Sequence, residues 1–312
     1  MDAIVTAGGI PRPEDPLYTY SHGDSKALID VAGKPMIQWV LDALGGSKHV
    51  DNVIIIGLSP KNSLACKKPI YYLPNQGRML SNIVAGVKKS LEFNKKNQYV
   101  LIVSSDIPTV KSEMVDWLIE TCQDTQDDLY YGVCPRAVME TRFPNSNRTW
   151  THLKDMDVCG ADMNVSHVRN ATEHLEMWES LIGNRKSPLK QAGIIGYGTL
   201  FKLLTRQLTL EEAVSRVSER IGFKGRAIVW PYAEPCMDVD KPHQLEMLRE
   251  DLADQQSLFE KKRSSTARKS VTRADKSKTG KPAVKKSSGV KKTATLAAAR
   301  TSAKTKAKPK AR

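Results

Sequence analysis

Cysteine and histidine are scarce in this 312-residue sequence, and their spacing excludes several classes of protein. The five cysteines include no C-x-x-C pair, and the six histidines include no H-x-x-x-H pair. Zinc sites and disulfide frameworks normally show such patterns, so we expect reduced thiols and no transition-metal site. Long apolar runs and a basic, apolar leader are also missing. Their absence predicts a cytoplasmic protein without membrane insertion.

Acidic residues nearly disappear at the end of the chain. Residues 261–312 contain 19 Lys and Arg but one acidic residue, Asp275, whereas the preceding residues carry a small net negative charge. Large apolar residues are also rare there, so the segment cannot bury enough surface to fold alone. We predict a folded domain over residues 1–258 and a disordered Lys/Ala/Ser/Thr-rich basic tail over 259–312. Such composition favours non-specific nucleic-acid binding through residues 261–312.

Short apolar runs alternate with helical patterns over the first 135 residues. Strands are predicted at 3–6, 53–56, 70–73 and 99–103, and helices at 35–44, 79–93 and 111–122. Repeated strand–helix units with fully apolar strands predict an α/β fold, in which helices cover both faces of a parallel sheet. Ligands of such sheets bind beyond the carboxyl ends of the strands.

The pattern is weaker in the second half of the chain. Polar residues 144–148 separate predicted strands at 129–133 and 150–153, and we interpret them as an insertion or lid. Helices are predicted at 172–182 and 189–204, from Thr209, where T-L-E-E forms a capping box, and from Pro242 to about Phe259. A further strand is predicted at 226–230.

A glycine loop follows the first predicted strand. Ala7, Gly8 and Gly9 let backbone N–H groups approach phosphate oxygens, and Arg12 and Lys26 supply the countercharge that a triphosphate requires. The alternative is a tight turn with two surface cations. The loop lacks the endings of a Walker A motif and of G-x-G-x-x-G, which argues against P-loop kinases and dinucleotide-dependent dehydrogenases.

Two acidic motifs predict a magnesium site. Asp106, in S-S-D-I-P, follows an apolar strand, and Asp238 and Asp240, in C-M-D-V-D-K-P, share one side of an extended segment. Mg²⁺ binds through carboxylates together with phosphate oxygens. The alternatives are an Asx turn for Asp106 and an N-cap of the last helix for Asp240.

Together these motifs resemble those of the MobA-like NTP transferase family of nucleotidyltransferases. The resemblance covers about residues 2–255 and implies a three-layer α/β/α fold. The expected sheet is mostly parallel and Rossmann-like, of the nucleotide-diphospho-sugar transferase (GT-A) type. The motifs that carry it are A7-G8-G9, Arg12, Lys26, G33-K34-P35-M36, D106-I107-P108 and D238-V239-D240. The chain departs from the family pattern at Ile10-Pro11, where a further glycine is usual.

The resemblance also implies roles for individual residues. The glycine loop holds the nucleotide phosphates, Arg12 contacts the outer phosphates, and Lys26 neutralises the reacting α-phosphate. Asp106 and Asp238 bind the ion, and for Asp240 the roles of metal ligand and helix cap are equal alternatives. A second region, Q-G-R-M-L-S-N, supplies candidate base or ribose contacts, although an ordinary helix start is an equal alternative; these residues are Gly77, Arg78 and Asn82.

The reaction implied is transfer of an NMP group from an NTP to a phosphorylated small-molecule acceptor, with release of pyrophosphate. Residues 184–190 and 160–164 are candidate acceptor regions. The alternative function is a non-catalytic nucleotide-sensing or nucleic-acid-binding protein that acts through its basic tail. In that case the folded domain binds a nucleotide without transferring it.

Overall fold

The computed structural model describes residues 1–173, 175, 178–179 and 196–276, with side chains up to residue 261. The chain divides into two compact units, Met1–Phe259 and Glu260–Arg312. Among the described helices, none combines the length and the apolar character that a membrane crossing needs.

Eleven strands and eight α-helices are described. The strands are β1 Asp2–Thr6, β2 Asp30–Val31, β3 Lys34–Pro35, β4 Val53–Ile56, β5 Ile70–Leu73, β6 Tyr99–Ser104, β7 Leu129–Pro135, β8 Thr151–His152, β9 Asp157–Gly160, β10 Met163–His167 and β11 Gly225–Val229. The helices are α1 Tyr18–Ser21, α2 Met36–Gly46, α3 Met79–Phe93, α4 Ser112–Thr121, α5 Arg136–Arg142, α6 Tyr197–Leu204, α7 Leu210–Ile221 and α8 Pro242–Lys276.

Nine of these strands form one sheet in the order β5-β4-β1-β6-β10-β7-β9-β8, with β11 paired to β7. Strands β5, β4, β1 and β6 are parallel, and Thr6 at the end of β1 aligns with Ile56 and Ser104 at the ends of its neighbours. Strand β10 runs antiparallel to β6 and begins with Met163 opposite Val103. The loops after β1, β4, β5 and β6 and the loop before β10 therefore meet at one edge, called the carboxyl edge below.

The core lies on both faces of the sheet because β4 is entirely apolar and the middle residues of β1 and β6 are apolar. On one face Val5, Ile55 and Val103 belong to a cluster with apolar residues of α2, α4 and α8. On the other face Ile4 and Ile54 pack against the apolar side of α3. This layering confirms the predicted three-layer α/β/α fold with a mostly parallel sheet.

Local patterns predicted most of the elements, and two differences have clear causes. Strand β10 was not predicted, because its Met163 and Val165 alternate with polar residues and form a half-apolar strand, and the short β9 was not predicted either. Helix α8 continues past its predicted end at Phe259 to Lys276. Residues 260–276 contain no Gly or Pro and are rich in Lys, Arg and Ala, which favour helix.

Some predictions fall wholly or partly on residues outside the described ones. The helix predicted at 172–182 is described at isolated positions, and the helix predicted at 189–204 is described from Tyr197. The cation-rich segment 184–190 and residues 277–312 of the predicted tail also lie outside. The capping box at Thr209 is present, since its hydroxyl accepts from the Glu212 N–H and the Glu212 carboxylate accepts from the Thr209 N–H.

Candidate active site

The glycine loop is held to the segment that carries Lys26. The Ser25 hydroxyl donates to the Ala7 carbonyl at 2.7 Å, and the Lys26 N–H donates to the Gly9 carbonyl at 2.9 Å. These bonds place the 3₁₀ turn Lys26–Leu28 beside the end of β1. Lys26 thus reaches the carboxyl edge although it lies well after β1 in the sequence.

Gly57, at the end of β4, packs directly on the same loop. A Cβ at position 57 would lie 2.3 Å from the Gly8 Cα, and the Gly57 φ is +103°. Both the contact and the backbone conformation require glycine. The glycine loop therefore rests on a close backbone contact that a side chain would disrupt.

Three carboxylates converge next to this loop. One oxygen from each of Asp106, Asp238 and Asp240 lies within 4.8 Å of the others, and we call this group the acid cluster. Asp106 follows β6, where its carboxylate accepts from the Ser104 hydroxyl at 2.5 Å. The Val239 N–H donates to the Asp106 carbonyl at 3.0 Å and so joins the two acidic motifs. Motifs far apart in the sequence thus form one site.

Lys26 bridges two members of the acid cluster. Its Nζ donates to Asp106 Oδ2 and to Asp240 Oδ1, each at 2.7 Å. Burial acts to lower the pKa of Lys26, but the two carboxylates outweigh it and raise the pKa above its usual value. Burial likewise acts to raise the pKa of Asp240, and Lys26 overcomes it and lowers that pKa. Lys26 therefore carries its positive charge at neutral pH.

In the described hydrogen bonds the Asp240 carboxylate does not cap the start of α8. Gln244 Oε1 accepts from the backbone N–H groups of Asp240 and Lys241, both at 2.9 Å. The Asp240 carboxylate accepts from Lys26 instead. This arrangement favours the ligand alternative for Asp240 over the cap.

Two further charged side chains, Arg148 and Asp162, lie at the site, and no individual role was predicted for either from the sequence. Arg148, in the polar stretch predicted as an insertion, donates from Nη1 to Asp238 Oδ1. Asp162 precedes β10. Its carbonyl accepts a hydrogen bond from the Ser104 N–H, and its N–H donates to the Pro235 carbonyl. Burial raises the pKa of Asp162 to about 7, and the charge of Asp106 adds to that shift while Arg148 opposes it. The sequence placed Asp162 in a candidate acceptor region, but no local motif marked Arg148.

An asparagine pair connects the glycine loop with α3. Asn75 Nδ2 donates to the Gly8 carbonyl at 2.9 Å, and Asn75 Oδ1 accepts from the Gly77 N–H and from Asn82 Nδ2. Asn82 Oδ1 accepts from the Gln76 N–H at 2.7 Å. Asn82 is buried, so in this structure it fixes the loop. Its predicted contact with a base or ribose stays a prediction, and Asn75 is a loop-positioning residue that sequence reasoning missed.

Arg12 and Arg78 lie outside the acid cluster's hydrogen bonds. The Arg12 side chain is 80% exposed and comes within 4.0 Å of Glu14. Arg78 is exposed at the start of α3. The structure thus brings Lys26 and the three aspartates together with Ala7, Gly8 and Gly9 nearby. It leaves the roles predicted for Arg12, Gly77 and Arg78 as predictions.

A cavity of about 710 Å³ extends from the carboxyl edge over one face of the sheet. Its polar lining residues include Ser104, Asp162 and Asn164, and apolar residues of α3, α7, β7 and β9 also line it. A larger cavity of about 910 Å³ lies between α7 and β11, and none of its described lining residues belongs to the acid cluster. No described lining residue of the smaller cavity belongs to the acid cluster either, but Thr6, Ser104 and Asp162 line it, so this cavity reaches the carboxyl edge.

The family model of the MobA-like NTP transferase domain matches residues 3–181, which is more than half of the chain. The chain belongs to this family. Among solved structures it is similar to a hypothetical transferase from Thermus thermophilus, with 29% identity and a TM-score of 0.68 over 78% of this chain and 98% of that one.

A second solved structure is similar in fold. It is CMP:2-keto-3-deoxy-manno-octonic acid synthetase complexed with CTP, at 15% identity and a TM-score of 0.55 over 81% of this chain and 99% of that one. No curated protein sequence matches the chain. The family and the α/β fold predicted from the sequence are confirmed.

Proposed function

We propose that this protein is a magnesium-dependent nucleotidyltransferase. It moves an NMP group from an NTP to a phosphorylated small-molecule acceptor and releases pyrophosphate. The observation that carries the proposal is the meeting of Lys26 with the acid cluster at the carboxyl edge, beside the glycine loop. Membership of the MobA-like NTP transferase family supports the same reaction class.

The acid cluster suits a hard divalent cation. Its three carboxylates offer oxygen ligands within 4.8 Å of one another, and Lys26 and Arg148 offset only two of their three negative charges. Mg²⁺ prefers one or two carboxylates together with phosphate oxygens. Asp106 and Asp238 would hold it, with Asp240 as a third ligand. When bound, Mg²⁺ neutralises charge on the phosphate oxygens.

The remaining chemistry depends on position and charge. An acceptor phosphate oxygen attacks the α-phosphorus, a new P–O bond forms, and the bond to the β-phosphate oxygen breaks with its electron pair leaving on pyrophosphate. Backbone N–H groups of Gly8 and Gly9 orient the phosphates, and Lys26 stabilises charge on the α-phosphate as that bond breaks. A phosphate nucleophile is already an anion, so no general base is required.

A pyrophosphate-release screen tests the proposal. The four NTPs are combined with phosphorylated acceptors in the presence of Mg²⁺, and wild-type protein is compared with Asp106→Asn and Lys26→Ala. We expect acceptor-dependent pyrophosphate from the wild type and a loss of at least 100-fold in both variants, a size typical for groups that stabilise transition-state charge. Asp42→Asn is the control, because Asp42 pairs with Lys34 at the protein surface. Unchanged turnover in Asp106→Asn contradicts the proposed site.

A further inference from the structure

The Arg148 side chain is mostly buried in contact with Asp238, and this contact leaves one of its hydrogen-bond donors without a partner among the described residues. The Arg148 side chain is 13% exposed and the Asp238 side chain 12%. Arg148 Nε is buried and has no hydrogen-bond partner among the described residues. An unsatisfied buried donor typically costs about 1–3 kcal/mol. Stability alone therefore does not explain this arginine.

The same contact competes with the use proposed for Asp238. Asp238 cannot give the same oxygen fully to a guanidinium and to a metal ion. In this structure Lys26 and Arg148 offset two of the three negative charges of the acid cluster. A divalent cation bound to that cluster would take the Asp238 oxygen that Arg148 contacts in this structure. The guanidinium of Arg148 would then lose Asp238 as its partner.

The position of Arg148 points to the acceptor and not to the NTP. The glycine loop and Asn75 lie at the ends of β1 and β5, in the parallel half of the sheet. Arg148 comes from the loop between α5 and β8, at the opposite end of the strand order. Its charge acts on Asp162, which lines the 710 Å³ cavity and whose pKa is raised by burial and by Asp106. Its free donor therefore belongs to the acceptor half of the site.

We propose that Arg148 binds the phosphate group of the acceptor, and that it exchanges Asp238 for this phosphate when Asp238 becomes a metal ligand. The planar guanidinium fork matches phosphate oxygens with two parallel hydrogen bonds. Such a contact supplies a partner for Nε and orients the attacking oxygen. The inference rests on the proposed nucleotidyl transfer, because that reaction supplies the phosphorylated acceptor.

Inorganic phosphate serves as the probe for this subsite. Full-length protein is saturated with Mg²⁺ and, in turn, with the α,β-methylene analogues of ATP, CTP, GTP and UTP, which cannot release pyrophosphate. Phosphate binding to each complex is measured by ³¹P NMR titration, and analogue binding by calorimetry. The variants are Arg148→Gln, which keeps a donor for Asp238, and Arg148→Lys, which keeps the charge. Arg136→Ala is the control, because Arg136 is a half-exposed arginine that pairs with Glu140 on α5.

We expect phosphate affinity to fall at least tenfold in Arg148→Gln and less in Arg148→Lys, with analogue affinity unchanged within twofold. Arg136→Ala should bind phosphate as the wild type does. Equal phosphate binding by Arg148→Gln and wild type overturns the inference, as does a wild-type complex that binds no phosphate. An equal loss of analogue affinity makes Arg148 a nucleotide ligand and also overturns it. If the wild type binds none of the analogues, the proposed function itself fails.

Discussion

Replacing Lys26 by methionine tests how strongly the acid cluster depends on its internal cation. Lys26 is 19% exposed and Asp106 is 15% exposed, whereas Asp240 is 60% exposed. Removing one partner of a buried ion pair costs about 3–5 kcal/mol. Because Asp240 is open to solvent, we expect a loss near the lower limit, about 3 kcal/mol. For a unit of this size that loss lowers Tm by about 6–12 °C.

Lys34 provides a matched control for this substitution. Its Nζ pairs with Asp42 at 2.7 Å, the same distance as in the Lys26 pairs, but the two side chains are 39% and 45% exposed. Exposed pairs contribute about 0–1 kcal/mol, so Lys34→Met should change stability little. Both variants are unfolded with urea in buffer containing EDTA, so that no divalent cation binds the carboxylates.

Magnesium should then restore part of the stability that Lys26→Met loses. The ion takes over the charge balance of Asp106 and Asp240, and with a Kd of about 1 mM, about 10 mM Mg²⁺ adds about 1.4 kcal/mol. The wild type should gain less, because Lys26 competes for the same oxygens. Equal destabilisation by Lys26→Met and Lys34→Met, with no difference in the Mg²⁺ response, refutes the reasoning.

Three further predictions follow from individual contacts. In metal-free buffer Asp162→Asn should raise Tm more at pH 8 than at pH 5. With a pKa of about 7 for Asp162, the wild type loses stability as pH rises from about 4 through 7. Thermal unfolding at both pH values checks this, and equal shifts in Tm contradict it. Gly57→Ala should cost about 1–3 kcal/mol in urea unfolding, since its Cβ meets the Gly8 backbone at 2.3 Å. Gly9→Ala, with no atom within 4 Å of its Cβ, is the control, and similar losses would argue against the close contact. Truncation after Glu260 should abolish salt-sensitive binding to duplex DNA in a mobility assay, because it removes 19 basic residues and only one acidic residue. Equal binding by the truncated protein would place the DNA site on the folded domain.

Much of the fold follows from local sequence patterns. The continuous apolar run Val53–Ile56 predicts a strand buried on both faces, and all four of its residues are buried. The 3.6-residue spacing of apolar residues in α2 predicts the side that packs on the sheet. Strand β10 was not predicted because one of its faces is polar, and such alternation over five residues is a weak signal.

The site residues that could be predicted from the sequence are those that lie within a recognisable motif. Lys26 and the three aspartates belong to recognisable motifs, and the structure brings them together. Arg148 acts on Asp238 across 90 positions of sequence, and Asn75 on Gly8 across 67. Such contacts depend on the three-dimensional arrangement of loops, which no local spacing encodes. Arg12 lies exposed beside Glu14, in agreement with the alternative of a surface cation, and its predicted phosphate contact stays a prediction.

Binding of a divalent cation by the acid cluster is the central claim, and Mn²⁺ reports on it directly because carboxylate and phosphate oxygens bind it as they bind Mg²⁺. Electron paramagnetic resonance measures free Mn²⁺ while protein is titrated in the presence of an α,β-methylene NTP analogue. We predict one tightly bound Mn²⁺ per wild-type chain, at least tenfold weaker binding by Asp106→Asn and Asp238→Asn, and wild-type binding by Asp42→Asn. Undiminished Mn²⁺ binding by Asp106→Asn and Asp238→Asn would contradict the account.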